Sequence, residues 1–156
     1  MSEFESEIGI LVLKATPKDD DFDRDNFDVI EAISNTNGGE EQAFNAIRRR
    51  FDETIESEPK AALNTVSLLD LCLDQCDETF RNLYSTEDSL YNIAKYVIPD
   101  SGYSTNQDTS FEILRVIQRY GMMGLSPFNK IYDDIKNKNG YEAFEKYLAQ
   151  DEEYSE

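Results

Sequence analysis

The chain has no histidine and no tryptophan, and only two cysteines and four prolines, among its 156 residues. Because Cys72 and Cys76 are the only thiols, a tetrahedral zinc site would have too few ligands, and we expect no metal or other cofactor. No apolar run approaches the roughly 18 residues that a membrane-spanning helix needs. The N-terminus also lacks the basic segment of a signal peptide. These absences favour a cytoplasmic protein.

Positive charge is scarce as well. Fifteen Lys and Arg stand against 33 Asp and Glu, which gives a formal net charge of −18. A surface this acidic repels the phosphates of nucleic acids and of anionic lipids. We therefore expect no nucleic-acid partner and peripheral membrane association at most. The length suits one domain with its own core, which we expect to be monomeric.

Recognisable catalytic motifs are missing too. The sequence has no histidine, no Gly-rich loop and no paired acids in a known motif, so no residues indicate a reaction. We therefore predict that the chain is not an enzyme. The acidic loop Lys18–Asp25 has aspartates at alternate positions, as a calcium loop does. Its sixth position is Arg24 instead of glycine and its twelfth is Ile30 instead of glutamate. The loop is therefore interpreted as a solvated segment that caps the next helix.

Helical periodicity, by contrast, runs through most of the chain. In the stretch Glu58–Tyr84 the apolar residues cover one broad arc at 100° per residue, which predicts a central helix of about 20 residues. Both cysteines lie on that arc and are predicted to be buried core thiols. Asn64, Ser67 and Asp70 fall on the opposite, polar side.

Shorter amphipathic segments precede and follow this helix, separated by Pro, Gly or capping residues. They cover residues 4–15, 26–34, 40–56, 77–84, 87–98, 109–122 and 127–140. Pro99 is predicted to end the helix of residues 87–98, and Gly140 the helix of residues 127–140. Tyr141–Leu148 is predicted to add a further turn or two. No segment has the pattern of a strand, so the predicted class is all-α. We expect one domain over residues 1–148 and an acidic, frayed tail over 149–156.

In the central stretch a leucine-rich helix leads into Cys72, Cys76 and Phe80. This pattern resembles the signature helix of the VHS domain family, which leads into C-x-N-C-G-x-x-F, although Gln75 and Asp77 replace the usual Asn and Gly. Four further segments resemble motifs of the same family. Leu13–Thr16 resembles I-E-K-A-T, Asn26–Ile30 resembles D-W-x-x-I, and Ala46–Arg50 resembles A-I-K-K-R. Ile131–Ile135 resembles the last-helix pattern of Target-of-Myb-type VHS domains. Together they span most of the chain.

The resemblance implies a right-handed superhelix of eight helices without catalytic activity. It also implies an adaptor in intracellular protein transport, recruited to endosomal or Golgi membranes to sort cargo. Two family surfaces can be placed on this sequence. The first is a ubiquitin-binding face on the second helix, here called the second-helix face: Phe27, Ile30, Glu31 and Ser34.

At the second-helix face the family has an exposed Trp followed four positions later by Leu or Met. Phe27 still offers an aromatic anchor, the residue type that binding hot spots favour. Glu31 places a carboxylate where an apolar residue is usual, and its desolvation opposes binding. We predict weak binding of ubiquitin or ubiquitinated cargo. The alternative is that Phe27 is an ordinary packing residue.

The second surface is the groove between the sixth and eighth helices, which in Golgi-localised members binds acidic dileucine signals. Its matching residues, here called the peptide groove, are Glu87, Asp88, Tyr91 and Asp134. Their charge repels an acidic peptide, so we expect no acidic dileucine ligand, whereas a neutral or basic peptide remains open.

Two other readings stay open at this point. A domain of the type that binds the RNA polymerase II tail would need cations aimed at phosphate, and Arg115 and Arg119 are the candidates. An epsin-like phosphoinositide-binding domain would use the basic cluster, Arg48, Arg49 and Arg50. Three consecutive helical residues fan over about 200°. Packing of their stems and ion pairs with nearby acids are therefore the favoured interpretation of the cluster.

Overall fold

The structure, a computed structural model, describes residue 4 and residues 6–98 and 101–139. Within those ranges there are eight α-helices and no strand, which confirms the predicted all-α class. The helices are α1 (Glu7–Ala15), α2 (Asp28–Asn35), α3 (Gly39–Thr54), α4 (Pro59–Gln75), α5 (Glu78–Tyr84), α6 (Glu87–Ala94), α7 (Gln107–Met122) and α8 (Phe128–Asn139). Pro99, Gly140, the turn predicted over Tyr141–Leu148 and the tail predicted over 149–156 lie outside the described residues.

Local capping chemistry sets where several helices begin. Three helices start at a side-chain oxygen that accepts a hydrogen bond from a backbone N–H three residues later: Ser6, Thr86 and Asn106. Pro59 occupies the first position of α4, where its missing N–H costs nothing. The largest departure from the predicted bounds is at α6, which ends at Ala94, so that residues 95–98 form turns instead of further helix.

The helices fall into two compact units, with α1–α5 in residues 1–84 and α6–α8 in residues 85–156. In the first unit α3 packs against each of the other four helices, and α4 also contacts α1 and α5. In the second unit α7 packs against α8 and α6. The prediction of one domain over residues 1–148 stays a prediction.

The central helix α4 is buried on most sides. Leu69 and Leu73 are at most 1% exposed, as the apolar arc predicts, and Leu68 beside the arc is buried to the same degree. The polar side is buried as well, and Asn64 is only 2% exposed. Its Nδ2 donates hydrogen bonds to the carbonyl oxygens of Pro17 and Asp20, each at 2.8 Å. This side chain fixes the acidic loop to α4 and satisfies two backbone acceptors.

The two cysteines differ, and the prediction that both are core thiols is wrong for Cys76. Cys72 is completely buried inside α4, whereas Cys76 is half-buried. The reason is that α4 ends at Gln75, and Cys76 has extended backbone angles (φ −82°, ψ 169°). Its side chain therefore leaves the apolar arc that helical periodicity assigned to it.

In the second unit α7 and α8 approach closely. A Cβ atom on Gly121 would lie 2.8 Å from Cβ of Tyr132, so only glycine permits this contact. In α8 the following residues are buried: Phe128, Ile131, Tyr132 and Ile135. In α7, Ile113 and Val116 are buried, whereas Phe111 is half-exposed. None of the described helices is long and apolar enough to cross a membrane.

Candidate functional site

The second-helix face begins at Phe27, the residue immediately before α2. Its side chain is 46% exposed, although phenylalanine is usually buried. The backbone around it is fixed: the Phe27 carbonyl accepts a hydrogen bond from the Glu31 N–H at 2.9 Å, and Asn26 Oδ1 accepts one from the Asp28 N–H at 3.0 Å. An aromatic ring is therefore held at the surface by an ordered helix start.

The other three residues of the face follow on the next two turns of α2. Glu31 and Ser34 are exposed and Ile30 is half-buried. The Ser34 hydroxyl donates to the Glu31 carbonyl at 3.1 Å. On the opposite side of α2, Val29, Ala32 and Ile33 are buried and attach the helix to its unit. The spacing i, i+3, i+4, i+7 thus brings all four residues to one side of the helix.

Two clefts border this face. The α1–α2 cleft, of about 350 Å³, includes Glu31 together with Glu7, Asp28 and the apolar Leu11. The α2–α4 cleft, of about 280 Å³, contains the following residues of α2 and of the segments after it: Ile30, Ile33, Ser34, Glu40, Gln75, Cys76 and Asp77. Helical periodicity could not foresee this division, because each cleft also depends on residues from other helices. Cys76 is the member of the site that the sequence analysis misplaced.

One of the residues assigned to the peptide groove, Glu87, is paired with a cation that periodicity did not predict. Lys130 Nζ of α8 lies 2.8 Å from Glu87 Oε1 at the start of α6, and both side chains are well exposed. Their hydrogen bond and charges lower the pKa of Glu87 and raise that of Lys130, to which Asp134 adds a further attraction. Asp88 is exposed and Tyr91 is 45% exposed. Three of the four residues are therefore carboxylates, and one of these, Glu87, is paired with Lys130.

The basic cluster does not form one surface. Arg50 donates from Nη2 to the carbonyl oxygen of Thr16 at 2.7 Å and from Nε to its hydroxyl at 3.0 Å, which caps the end of α1. Arg49 is paired with Glu53 at 2.9 Å. Arg48 is half-buried and is also engaged in an interaction. Arg49 and Arg50 therefore serve different partners within the chain.

The cations of α7 are also engaged. Arg115 Nη2 lies 3.1 Å from Glu112 Oε1, and the Glu112 side chain is only 8% exposed. The guanidinium of Arg119 lies 5.4 Å from the centre of the Tyr120 ring, within cation–π range. Neither arrangement leaves a pair of free guanidinium groups aimed at one phosphate.

The acidic loop does not cap α2, contrary to the prediction, because α2 begins after Phe27 and has no side-chain capping hydrogen bond. Asp21 is paired with Lys60, which lowers the pKa of Asp21 through their hydrogen bond and charges. Asp23 Oδ1 accepts a hydrogen bond from the Asp25 N–H at 3.0 Å. Nowhere in the part of the chain that the structure describes do three or more Cys, Asp or Glu side chains come together as a metal site.

The comparisons with known proteins agree with the motifs. The family model of the VHS domain matches residues 2–146. A comparison with curated proteins finds no match for the chain. VHS domains are non-catalytic, all-α superhelical domains that mediate protein interactions in trafficking, and the helices described above are consistent with that fold. The chain therefore belongs to the VHS domain family, which assigns it a protein-interaction, adaptor-type role in trafficking.

Proposed function

We propose that the chain is an adaptor domain that binds ubiquitin weakly through the second-helix face. The observation that carries this proposal is the exposed ring of Phe27 at an ordered helix start. Aromatic side chains supply much of the binding energy at interfaces, because they bury large apolar areas at a low entropic cost. Ile30, half-buried one turn further on, extends the apolar contact.

Charge supports the same partner and limits its affinity. Glu7, Asp28 and Glu31 line the α1–α2 cleft beside the face. Ubiquitin carries basic residues around its hydrophobic patch, so these carboxylates complement its rim and favour encounter. Glu31 also stands where an apolar contact would form, and its desolvation costs free energy. The sum is a contact of low affinity, which suits transient capture of ubiquitinated cargo.

Titration of isotope-labelled ubiquitin, followed by NMR, tests the proposal. The wild type should shift signals of the hydrophobic patch at millimolar concentration, and Phe27→Ala should abolish the shifts. Tyr91→Ala is the matched control, because Tyr91 is equally exposed, at 45%, but lies in the peptide groove. Equal loss in both variants, or no shift with the wild type, would refute binding at this face. Circular dichroism of each variant verifies that the helices persist.

The peptide groove is a second candidate, for a neutral or basic peptide. The exposed Tyr91 ring beside Glu87 and Asp88 combines an apolar surface with negative charge. An acidic peptide would have to displace Glu87 from Lys130 before it could use that cation. Tyr91→Ala should therefore weaken the binding of a basic peptide that was selected for affinity to the wild type, whereas Phe27→Ala should not weaken it.

Recruitment to endosomal or Golgi membranes is proposed to follow from these protein contacts. Direct recognition of phosphoinositides finds little support, since Arg49 and Arg50 already serve partners within the chain. Flotation with liposomes of neutral lipid, with and without phosphoinositides, separates the two routes. We expect no flotation with either composition, and specific flotation with phosphoinositides would favour the epsin-like alternative.

A further inference from the structure

We propose that Cys76 is a site of reversible thiol modification, at which small disulfides of positive or neutral charge form a mixed disulfide that occupies the α2–α4 cleft. The inference rests on the position of this thiol, on its pairing with Cys72 and on the charge of the cleft. It concerns a covalent site and not the ubiquitin contact itself.

The end of α4 presents the thiol to the cleft. Because Cys76 has extended backbone angles and follows the last helical residue, its side chain is half-buried and lines a space of about 280 Å³. Ile30 and Ser34 of α2 also line that space. A free cysteine is usually enclosed in the core, as Cys72 is. Cys76 combines access for a small reagent with room for the group that the reagent leaves behind.

Cys72 makes Cys76 the reacting member of the pair. Interaction with the neighbouring Cys72 thiol lowers the pKa of Cys76, whereas burial and the charges of Asp77 and Glu40 oppose this effect. The same interaction and complete burial raise the pKa of Cys72. The thiolate is the nucleophile in disulfide exchange. Because Cys72 is completely buried and Cys76 lines the cleft, a reagent reaches Cys76, and Cys76 is the thiol that reacts.

The walls of the cleft select the reagent by charge. Glu40 and Asp77 both line it, and none of the described residues that do so is basic. Carboxylates beside the thiol attract a cationic reagent and repel an anionic one. A disulfide of two short amines should therefore react faster than its dicarboxylate counterpart.

The reaction is an ordinary thiol–disulfide exchange. The Cys76 thiolate attacks one sulfur of the reagent, so that a new S–S bond forms while the bond of the reagent breaks. The second half of the reagent leaves as a thiolate and takes a proton from water. The protein thiol is oxidised and the reagent disulfide is reduced, and an excess of free thiol reverses the exchange.

Intact-mass measurement followed by peptide mapping tests the site on the whole chain. The probes are cystamine, 2-hydroxyethyl disulfide and 3,3′-dithiodipropionate, which are cationic, neutral and anionic alkyl disulfides. We expect one reducible adduct, on Cys76, and none in Cys76→Ser. The rates with urea-unfolded chain correct for the intrinsic reactivity of each probe. An adduct confined to Cys72, or no adduct on the folded chain, would overturn the proposal.

Selectivity has its own controls. Relative to the unfolded chain, the folded chain should favour the cationic over the anionic probe by about three- to tenfold, as expected for charges at this range near a surface. Glu40→Gln should reduce that preference, whereas Glu41→Gln should not, because Glu41 does not line the cleft. Cys72→Ala should slow the reaction, and Cys72→Ser, which retains a donor, should slow it less. Equal rates for both probes would refute charge selection.

A consequence for binding rests on the proposed function. Ile30 and Ser34 belong to the second-helix face and line the α2–α4 cleft, so an adduct on Cys76 should weaken the ubiquitin shifts and added thiol should restore them. Cys76→Ser treated with cystamine is the control. If the wild type never shifts ubiquitin, the proposed function fails while the mass result still decides the site. If the adduct forms and leaves the shifts unchanged, the regulatory consequence is refuted.

Discussion

The second-helix face and the basic cluster belong to neighbouring helices of one unit, yet their side chains are used in opposite ways. The guanidinium of Arg50 in α3 donates hydrogen bonds to the carbonyl oxygen of Thr16, at 2.7 Å, and to its hydroxyl, at 3.0 Å. Phe27, at the start of α2, leaves 46% of its side chain exposed. The arginine stabilises the fold, and the ring remains free to contact a partner.

The difference lies in what folding offers each side chain. Thr16 follows α1 and its carbonyl needs a donor, because the last carbonyls of a helix have no partner within it. A guanidinium with several donors satisfies such a group well. Phe27 has no comparable requirement, and its helix is already attached by Val29, Ala32 and Ile33. A conspicuous charge cluster can therefore be structural while a single exposed ring is the better candidate for binding.

The largest change in stability is expected from a substitution in the buried core of the unit that carries both regions. Leu69 of α4 is 1% exposed, so Leu69→Ala should lower the free energy of unfolding by about 2–5 kcal/mol through lost burial and a cavity. Leu63→Ala, at a half-exposed position of the same helix, should cost markedly less. Urea denaturation measures both. A loss under about 0.5 kcal/mol at Leu69 would mean that α4 is not central, since it would fall below the range for buried leucine.

The second-largest loss in the free energy of unfolding is expected for Arg50→Ala. It removes two hydrogen bonds from a charged donor and leaves the buried Thr16 without them, which should cost about 1.5–3 kcal/mol. Arg49→Ala should cost less than about 0.5 kcal/mol, because its pair with Glu53 is largely exposed. Urea denaturation of the two variants under the same conditions compares them. Similar losses at both positions would contradict the structural role assigned to Arg50.

Periodicity and capping residues sufficed to predict the helices and the all-α class, whereas the superhelical fold came from the family resemblance. The wide apolar arc of α4 predicts its burial, and Thr86 predicts the start of α6, since both signals are local in sequence. The bounds of α6 show the limit. Pro99 was expected to end that helix, but α6 already ends at Ala94 and turns cover the interval. A proline limits how far a helix can extend without requiring it to extend so far.

The site depended on contacts between distant segments, which periodicity does not contain. Lys130 reaches Glu87 across 43 positions of the chain. Cys76 leaves the arc of α4 because that helix ends one residue earlier. The family signature identifies both cysteines but does not distinguish the buried thiol from the one at a cleft. Only the position of the helix end separates them.

The smallest expected effect sharpens the account of the second-helix face itself. Glu31→Leu adds apolar area beside Phe27 and removes the desolvation of a carboxylate. Together these changes should tighten ubiquitin binding by about 1–2 kcal/mol, or roughly five- to thirtyfold. Stability should hardly change, because Glu31 is exposed in the unbound protein. NMR titration of labelled ubiquitin measures the change in affinity.

Glu31→Gln separates the two causes, since it removes the charge without adding apolar area. If desolvation of the carboxylate opposes binding, the Gln variant should lie between wild type and Glu31→Leu. Weaker binding of Glu31→Gln, most pronounced at low salt, would instead assign Glu31 an attractive role toward the basic rim of ubiquitin. The double variant Phe27→Ala/Glu31→Leu controls for a merely adhesive surface. Its affinity should fall well below that of Glu31→Leu, because the added leucine is expected to act beside the Phe27 ring and not in place of it.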